Sequence, residues 1–258
     1  PDLSMAYAVI GMEQVNTGTD QIGAVENLDM AIEKNPKNAT AWLWRGITLK
    51  DMGYFEKAVA DYIGVKHAIA VSSGTSGLHL CIRAAGIEPG DLVLTTPFSF
   101  MASTNAILYE KAIPVFVDVE PVTGNIDPHL VRQAAADLVQ GGAARQKWLP
   151  SGGLSQAAEL KGLLPVDVFG QPADWDHLQE TARQFKLAMI EDSCEALGAE
   201  YKGRAAGTLA DYGVFAFYPN KQITTGEGAM IVTDDDAAAD LMRALRNQGR
   251  APGDTWLE

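Results

Sequence analysis

The chain has 258 residues, 47% of them apolar, which is enough to bury a large core in one domain beside a smaller one. Its 33 acidic and 20 basic residues give a formal net charge of -13, which disfavours nucleic acid and anionic membranes as partners. We find no apolar stretch near the roughly 20 residues of a membrane span and no signal-peptide pattern. The two cysteines, Cys81 and Cys194, lie in apolar runs without metal-ligand spacing. We therefore expect reduced thiols, no metal and a cytoplasmic protein.

The first 62 residues have a helical pattern that nearly repeats itself. Ala24 and Ala58 are 34 residues apart, as are Leu28 and Tyr62. Further residues fit the helix contacts and the turn of such a repeat: Ala31, Pro36, Trp42, Gly46 and Gly53. This spacing is similar to the tetratricopeptide repeat, a helix-turn-helix unit that would offer a surface to a protein partner. A generic helical hairpin would give a similar pattern.

From His67 onward the pattern changes to strands alternating with helices. Apolar, β-branched runs recur at seven places: 67–72, 91–95, 114–119, 163–169, 187–191, 212–218 and 229–233. Near-continuous apolar strands joined by helical stretches predict an α/β fold with a mostly parallel sheet covered on both faces. Ligands bind at the carboxyl ends of strands in such sheets. Residues 138–162 lack periodicity and are predicted to form a surface excursion.

Small polar residues follow the first predicted strand. Gly74, Thr75 and Ser76 lie in a turn ahead of a helix that we expect to begin near Leu78. Backbone N–H groups at such a turn, together with the helix N-terminus, can bind a phosphate. An ordinary strand-to-helix turn has the same composition, so this signal is weak alone.

Two acidic residues end the fifth predicted strand. Asp192 follows a buried run, and Glu195 comes three residues later, on the same face if a helix begins here. A carboxylate in this position can bind the protonated nitrogen of a pyridine ring and so make the ring an electron sink. The alternative is an aspartate that caps a helix.

A lysine follows the sixth predicted strand. Lys221 comes after Asn220 in a short loop and is followed by a Gly-rich turn. Lysine amines can form covalent bonds with carbonyl groups, and solubility explains a lysine poorly in this position. An ordinary loop lysine is the alternative.

Three motifs in this order resemble the DegT/DnrJ/EryC1/StrS family of pyridoxal-phosphate (PLP) dependent sugar aminotransferases. They are S-S-G-T-S-G-L-H at 72–79, E-D-S-C-E-A-L-G-A at 191–199 and F-Y-P-N-K-Q-I-T-T-G-E-G at 217–228. Shorter matches include T-T-P-F-S-F-M-A-S at 95–103 and N-I-D-P at 125–128. The resemblance extends from about Phe55 to the end of the chain.

The resemblance implies the large domain of a type I PLP-transferase, with a seven-stranded sheet, over residues 55–258. A tetratricopeptide-like segment would occupy residues 1–54, and the C-terminal small domain would be absent. The implied activity moves an amino group from glutamate or glutamine to a nucleotide-linked keto-sugar. Family members act as homodimers with active sites at the interface, so we expect a homodimer of the full-length form.

By the same resemblance, Lys221 binds PLP covalently and later moves a proton, while Asp192 pairs with the pyridine nitrogen. Six further residues would contact the cofactor: Gly74, Thr75 and Ser76 at the phosphate, Phe100 on the ring face, Glu195 near the ring's 3-oxygen, and Asn220 beside the lysine.

The chain departs from the family pattern in several places. Ala216 stands where many relatives have a phosphate-binding serine, and Ala229 stands where a second glycine is common. Relatives continue beyond the position of Glu258, so we expect a truncated enzyme with limited activity. A non-catalytic interaction protein with a helical repeat and a degenerate PLP domain is an alternative. A dehydratase branch of the family has histidine in place of the lysine, and Lys221 argues against that branch.

Overall fold

The computed structural model describes residues 3–17, 20–38, 40–42, 44–45, 55–149 and 158–250. The chain divides into two compact units, Pro1–Tyr62 and Ile63–Glu258. Within the described ranges no helix combines the length and apolar character that crossing a membrane requires.

The first unit contains α1 (Leu3–Thr17) and α2 (Gln21–Lys34), which pack closely on each other, and the start of α3 (Phe55–Ile63). A Cβ atom added to Gly11 of α1 would lie 2.7 Å from the Leu28 Cγ of α2, so this glycine permits the close approach of the helices. Small residues fill the rest of the contact, namely Ala8, Ala24 and Ala31, and Ala41 packs in the same cluster; all four are fully buried.

The residues predicted to form the repeat have different surroundings. Leu28 is fully buried, Ala58 is half-buried, and Tyr62 is 70% exposed. Trp42 is also exposed. Gly46 and Gly53 lie outside the described residues.

The second unit is built on a seven-stranded sheet, which confirms the predicted α/β fold with its mostly parallel sheet. Its strands are β1 (His67–Val71), β2 (Leu92–Thr95), β3 (Ile113–Phe116), β4 (Leu160–Leu164), β5 (Ala188–Asp192), β8 (Tyr212–Ala216) and β9 (Ala229–Thr233). The spatial order is β1-β9-β8-β5-β4-β2-β3. β9 runs in the direction opposite to the other six strands of this sheet. Ala216 of β8 lies opposite Ala229 of β9. The short strands β6 (Glu200–Tyr201) and β7 (Arg204–Ala205) form a separate hairpin that the sequence did not predict.

Helices cover both faces of this sheet. They are α4 (Gly74–Ala84), α5 (Met101–Tyr109), α6 (Pro128–Gln140), α7 (Gly142–Gln146), α8 (Trp175–Phe185) and α9 (Asp236–Arg246). Val93 packs in one core with residues of α4, α5 and α9, whereas its strand neighbours Leu92 and Leu94 pack in the other core with residues of α6 and α8. Successive strand residues point to opposite faces, so burial on both faces explains why the strands are continuously apolar.

Several boundaries differ from the prediction. β4 covers Leu160–Leu164 rather than 163–169, because Pro165, which lacks a backbone N–H, interrupts it, and beyond the proline an isolated bridge joins Val166 to Asp192 of β5. The first part of that strand was assigned to the surface excursion at 138–162. Leu138, which the same prediction placed in the excursion, is buried in α6. Residues 150–157 of the predicted excursion lie outside the described residues. Helix α4 begins at Gly74 rather than near Leu78, because the Ser73 side chain caps it.

Candidate active site

A cavity of about 690 Å³ opens at the carboxyl ends of the parallel strands. Seven of the eight residues singled out from the sequence line it: Gly74, Thr75, Phe100, Asp192, Glu195, Asn220 and Lys221. The eighth, Ser76, is not in its lining, and its hydroxyl contacts those of Ser72 and Ser73. Residues as far apart in sequence as Gly74 and Lys221 therefore meet in one place.

The N-terminus of α4 forms one wall of the cavity. The Ser73 Oγ accepts a hydrogen bond of 3.2 Å from the Ser76 N–H. The first N–H groups of a helix have no acceptor within the helix, so those of Gly74 and Thr75 remain beside the cavity. A Cβ on Gly74 would lie 2.9 Å from the Cys194 Sγ, so the absence of a side chain lets the helix approach the end of β5. This arrangement suits an anion such as a phosphate.

Asp192 is the last residue of β5 and is 5% exposed. Its Oδ2 accepts a 2.6 Å hydrogen bond from the Ser103 Oγ, and its Oδ1 accepts a 3.3 Å bond from the Cys194 N–H. It takes part in no ion pair among the described residues. No helix begins between Asp192 and β6 in the described stretch 158–250, so the interpretation of Asp192 as a helix cap is wrong. A buried carboxylate with only neutral donors suits a cationic ligand group.

Lys221 lies in the loop that joins β8 to β9. This loop is closed by hydrogen bonds from the Phe217 N–H to the Gly228 carbonyl, 2.8 Å, and from the Thr225 N–H to the Phe217 carbonyl, 3.0 Å. The Lys221 Nζ is 2.8 Å from the Glu195 Oε1, and the lysine side chain is 15% exposed. The amine is therefore enclosed in the cavity and held by a carboxylate.

A turn at residues 168–170 carries Phe169 to the cavity mouth. Phe169 adopts a left-handed backbone with φ of 54° and is 81% exposed. Asn125 supports this turn, because its Oδ1 accepts the Val168 N–H at 3.0 Å and its Nδ2 donates to the Gln171 carbonyl at 2.9 Å. In the sequence, Asn125 stood out only as part of the N-I-D-P motif, and no role was predicted for it.

Exposed aromatic side chains surround the mouth, and we call Phe98, Phe100, Phe169 and Tyr218 the rim. Phe98 and Phe169 meet edge to face with 6.0 Å between ring centroids. Phe100, expected to stack on the cofactor ring, lines the cavity but is 81% exposed.

A buried pair of carboxyl groups, Asp167 and Glu191, lies at the cavity wall, where Asp167 is one of the lining residues. Glu191 is fully buried and accepts hydrogen bonds from the N–H groups of Gly207 and Leu209, at 2.5 and 2.8 Å. Burial, followed by the charge of Asp167, raises the pKa of Glu191 well above its usual range. Sequence reasoning missed this pair, because no local pattern joins residues 24 positions apart.

The sheet order and the lysine in the β8–β9 loop define the class of protein: the chain has the fold of the type I PLP-transferases. The model of the DegT/DnrJ/EryC1/StrS aminotransferase family matches residues 38–257. The chain belongs to this family, as the resemblance predicted.

Similar proteins are known by sequence and by structure. GDP-perosamine synthase from Caulobacter vibrioides is 44% identical over 198 residues, which cover 77% of this chain and 48% of that protein. A DegT DnrJ EryC1 StrS aminotransferase from Brucella abortus has a crystal structure that matches with a TM-score of 0.67 and 30% identity, over 75% of this chain and 48% of that one. The structure of ntda from Bacillus subtilis with bound cofactor PMP matches with a TM-score of 0.60 and 29% identity, over 73% and 38% of the two chains. The chain thus spans about half the length of the curated relatives it matches.

Proposed function

We propose that this chain forms the cofactor-binding part of a PLP-dependent aminotransferase that moves an amino group from glutamate or glutamine to a nucleotide-linked keto-sugar. One observation carries the proposal: an enclosed lysine amine, a buried carboxylate and a helix N-terminus line the same cavity. These three features match the carbonyl carbon, the ring nitrogen and the phosphate of PLP.

The described residues fit this cofactor. Lys221 is the residue that binds its carbonyl carbon, and Asp192 is the partner of the ring nitrogen. Gly74 and Thr75 bind the phosphate through their N–H groups, and Ser76 supports them from the same turn. Phe100 contacts the ring face, and Asn220 fixes the loop beside the lysine. When bound, the cofactor supplies an electron sink for a substrate carbanion.

Each side chain has a separate task in this scheme. Asp192, buried at the end of β5, holds the proton on the ring nitrogen, which preserves the electron sink. The Lys221 Nζ moves the proton between the substrate carbon and the cofactor. Glu195 orients that amine through its Oε1, and its Oε2 accepts the Phe169 N–H at 3.2 Å, so Glu195 joins the lysine loop to the turn at 168–170.

The substrate class rests on the relatives. GDP-perosamine synthase carries a nucleotide-linked amino sugar in its name, which supports a nucleotide-linked keto-sugar as the amino acceptor here. The bound PMP of the ntda structure supports a cofactor that accepts and returns an amino group, since PMP is the amino form of PLP.

Further parts of the proposal concern partners and location. A homodimer is supported by the exposed rim, because a cluster of exposed aromatic side chains is typical of a surface that another chain covers. A cytoplasmic location is supported by two unpaired cysteines, Cys81 and Cys194. A tetratricopeptide-like repeat over residues 1–54, with a protein partner of its own, is supported by small residues at the contact of α1 and α2. Residues 55–258 then form the PLP-binding domain.

The test is covalent trapping of the cofactor. The protein is loaded with PLP, reduced with borohydride and digested, and the labelled peptide is mapped. We expect the label on Lys221 and its loss in Lys221→Ala. Lys202→Ala is the matched control, since this exposed lysine pairs with Asp176 away from the cavity. A label on another lysine, or none in the wild-type protein, would show that the assignment is wrong.

A further inference from the structure

We propose that Ser103 is a positioning residue that orients the Asp192 carboxylate, and thereby keeps the proton on the cofactor's ring nitrogen. This inference rests on the proposed function, because it assumes that Asp192 pairs with that nitrogen. It adds a residue from α5, a helix that the sequence analysis did not connect with this pairing.

The contact is short and buried. Ser103 lies in the first turn of α5 and is fully buried, and its Oγ is 2.6 Å from the Asp192 Oδ2. The two residues are 89 positions apart in the sequence. A hydrogen bond to an ionised acceptor within an apolar wall is stronger than one between neutral groups.

The direction of this hydrogen bond follows from the protons available. A carboxylate only accepts, so the single Ser103 hydroxyl proton must go to Asp192. The Ser103 Oγ is also 2.7 Å from the Ser99 Oγ, and the hydroxyl of Ser99 therefore donates to Ser103. The Phe100 carbonyl, at 3.5 Å from the Ser103 Oγ, is too distant to compete. The result is a directed chain from Ser99 through Ser103 to Asp192.

The two carboxylate oxygens have donors on different elements. Oδ2 is held by Ser103 of α5, and Oδ1 is held by the Cys194 N–H just after β5. These bonds fix the plane of the carboxylate before any ligand arrives. A carboxylate held in a fixed plane stabilises a proton on a partnered pyridine nitrogen more than a carboxylate that is free to rotate.

The experiment observes the ring nitrogen directly. Wild-type protein and variants are loaded with PLP labelled with ¹⁵N in the ring, and the nitrogen signal is followed by NMR as the pH is raised. We expect Ser103→Ala to move the signal toward that of a neutral pyridine. Its deprotonation midpoint should fall by about one pH unit, the size expected for one hydrogen bond to a charged group.

Two variants separate this effect from a loss of packing. Ser103→Thr keeps the hydroxyl and should return the midpoint close to the wild-type value. Ser193→Ala removes a hydroxyl that is equally buried and adjacent to Asp192 in the chain, but that donates to the Asp167 Oδ2 at 3.0 Å, so its midpoint should not move. If Ser103→Ala does not fold, Ser103→Cys replaces it, and its weaker S–H donor should give a smaller fall.

The outcomes are distinct. Wild-type protein without bound label overturns the proposed function and this inference with it. Bound label with an unchanged midpoint in Ser103→Ala, or an equal fall in Ser193→Ala, overturns this inference alone.

Discussion

At the scale of single residues, we expect the charge of Asp192 to control the rate of the reaction but not the binding of the cofactor. Asp192→Asn keeps the shape of the side chain but removes its charge. We expect PLP to remain bound, while the half-reaction with glutamate slows by about a hundredfold. A lost charge-assisted contact of about 3 kcal/mol corresponds to two powers of ten in rate. Stopped-flow absorbance measures this rate.

The matched control is Asp211→Asn. Asp211 precedes β8 at the amino ends of the parallel strands, away from the cavity. There its Oδ2 accepts the Met189 N–H at 2.8 Å. Its substitution should lower stability without changing the half-reaction. Equal rates for Asp192→Asn and the wild type would contradict the role given to Asp192.

Ala216 is the residue at which a stronger site can be built. A Cβ added to Gly74 would lie 3.2 Å from the Ala216 Cβ, so the Ala216 side chain faces the start of α4. Ala216→Ser places a hydroxyl donor there. We expect the dissociation constant of PLP to fall about tenfold, since a hydrogen bond to a charged group contributes about 1.5 kcal/mol.

Fluorescence titration with PLP measures this gain. The control is Ala229→Ser, at the cross-strand partner of Ala216, which is buried but does not line the cavity. A gain of the same size in the control, or none in Ala216→Ser, would show that no phosphate binds at this point.

The sequence located these residues but not their contacts. Asp192 and Lys221 could be predicted because each follows a buried strand, and strand ends meet at one edge of such a sheet. The Ser103–Asp192 hydrogen bond could not be predicted from spacing, because it depends on how α5 packs against β5. The Glu195–Lys221 ion pair was missed for the same reason, since it depends on the fold of two loops.

At the scale of elements, the cap of α4 connects helix stability to the anion site. Ser73→Ala removes the acceptor of the Ser76 N–H, and Asp235→Ala removes the acceptor of the Ala238 N–H at the start of α9. Each change should cost about 1 kcal/mol in the free energy of unfolding. Of the two variants, only Ser73→Ala should also weaken PLP binding, because α4 begins at the cavity and α9 does not.

Urea unfolding and PLP titration of the two variants test this pair. Weaker PLP binding in both variants would mean that global stability, rather than the end of α4, controls the cofactor. An unchanged affinity in Ser73→Ala would remove α4 from the phosphate site.

The carboxyl pair of Asp167 and Glu191 predicts how stability depends on pH. The pKa of Glu191 is raised in the folded protein above its usual range near 4.5, so the folded state binds the proton more tightly than the unfolded state. Its contribution is complete below the usual pKa and is lost as the pH rises through the raised value. Burial also raises the pKa of Asp167, which adds to the same slope.

Asp167→Asn should flatten this dependence. The substitution removes one titrating group and the charge that opposes ionisation of Glu191. We expect the free energy of unfolding of the variant to change less between pH 5 and pH 9 than that of the wild type. Urea denaturation across this range measures both slopes, and parallel slopes would show that Asp167 does not contribute to the pH dependence.

The elements predicted best from the sequence are the strands that are buried on both faces of the sheet. All seven apolar runs became strands of the sheet, because strands covered on both faces need apolar side chains at every position. The boundary of β4 was wrong because Lys161 and Gly162 look like a loop, while apolar residues continue beyond Pro165. Gly162 is needed where Ile87 approaches, since an added Cβ would lie 2.9 Å from the Ile87 Cδ1.

At the scale of the whole molecule, the exposed rim limits what the 258-residue polypeptide can do by itself. Phe100 and Phe169 are each 81% exposed at the cavity mouth. Carbanion chemistry requires a site from which water is excluded. We therefore expect these 258 residues to bind PLP but to turn over slowly, with specific activity that rises with protein concentration as chains cover each other's rims.

Phe169→Asp tests this expectation, because a charge on the rim should oppose its burial against another chain. We expect the variant to sediment as a smaller species and to lose the concentration dependence of its activity, while Lys221 still binds PLP. Val139→Asp is the matched control, since Val139 is 64% exposed on α6 and does not line the cavity. Analytical ultracentrifugation and activity assays over a hundredfold range of protein concentration, about 0.1 to 10 μM, measure both effects. An activity independent of concentration in the wild type, or an equal loss in the Val139 variant, would show that the rim is not the surface that closes the site.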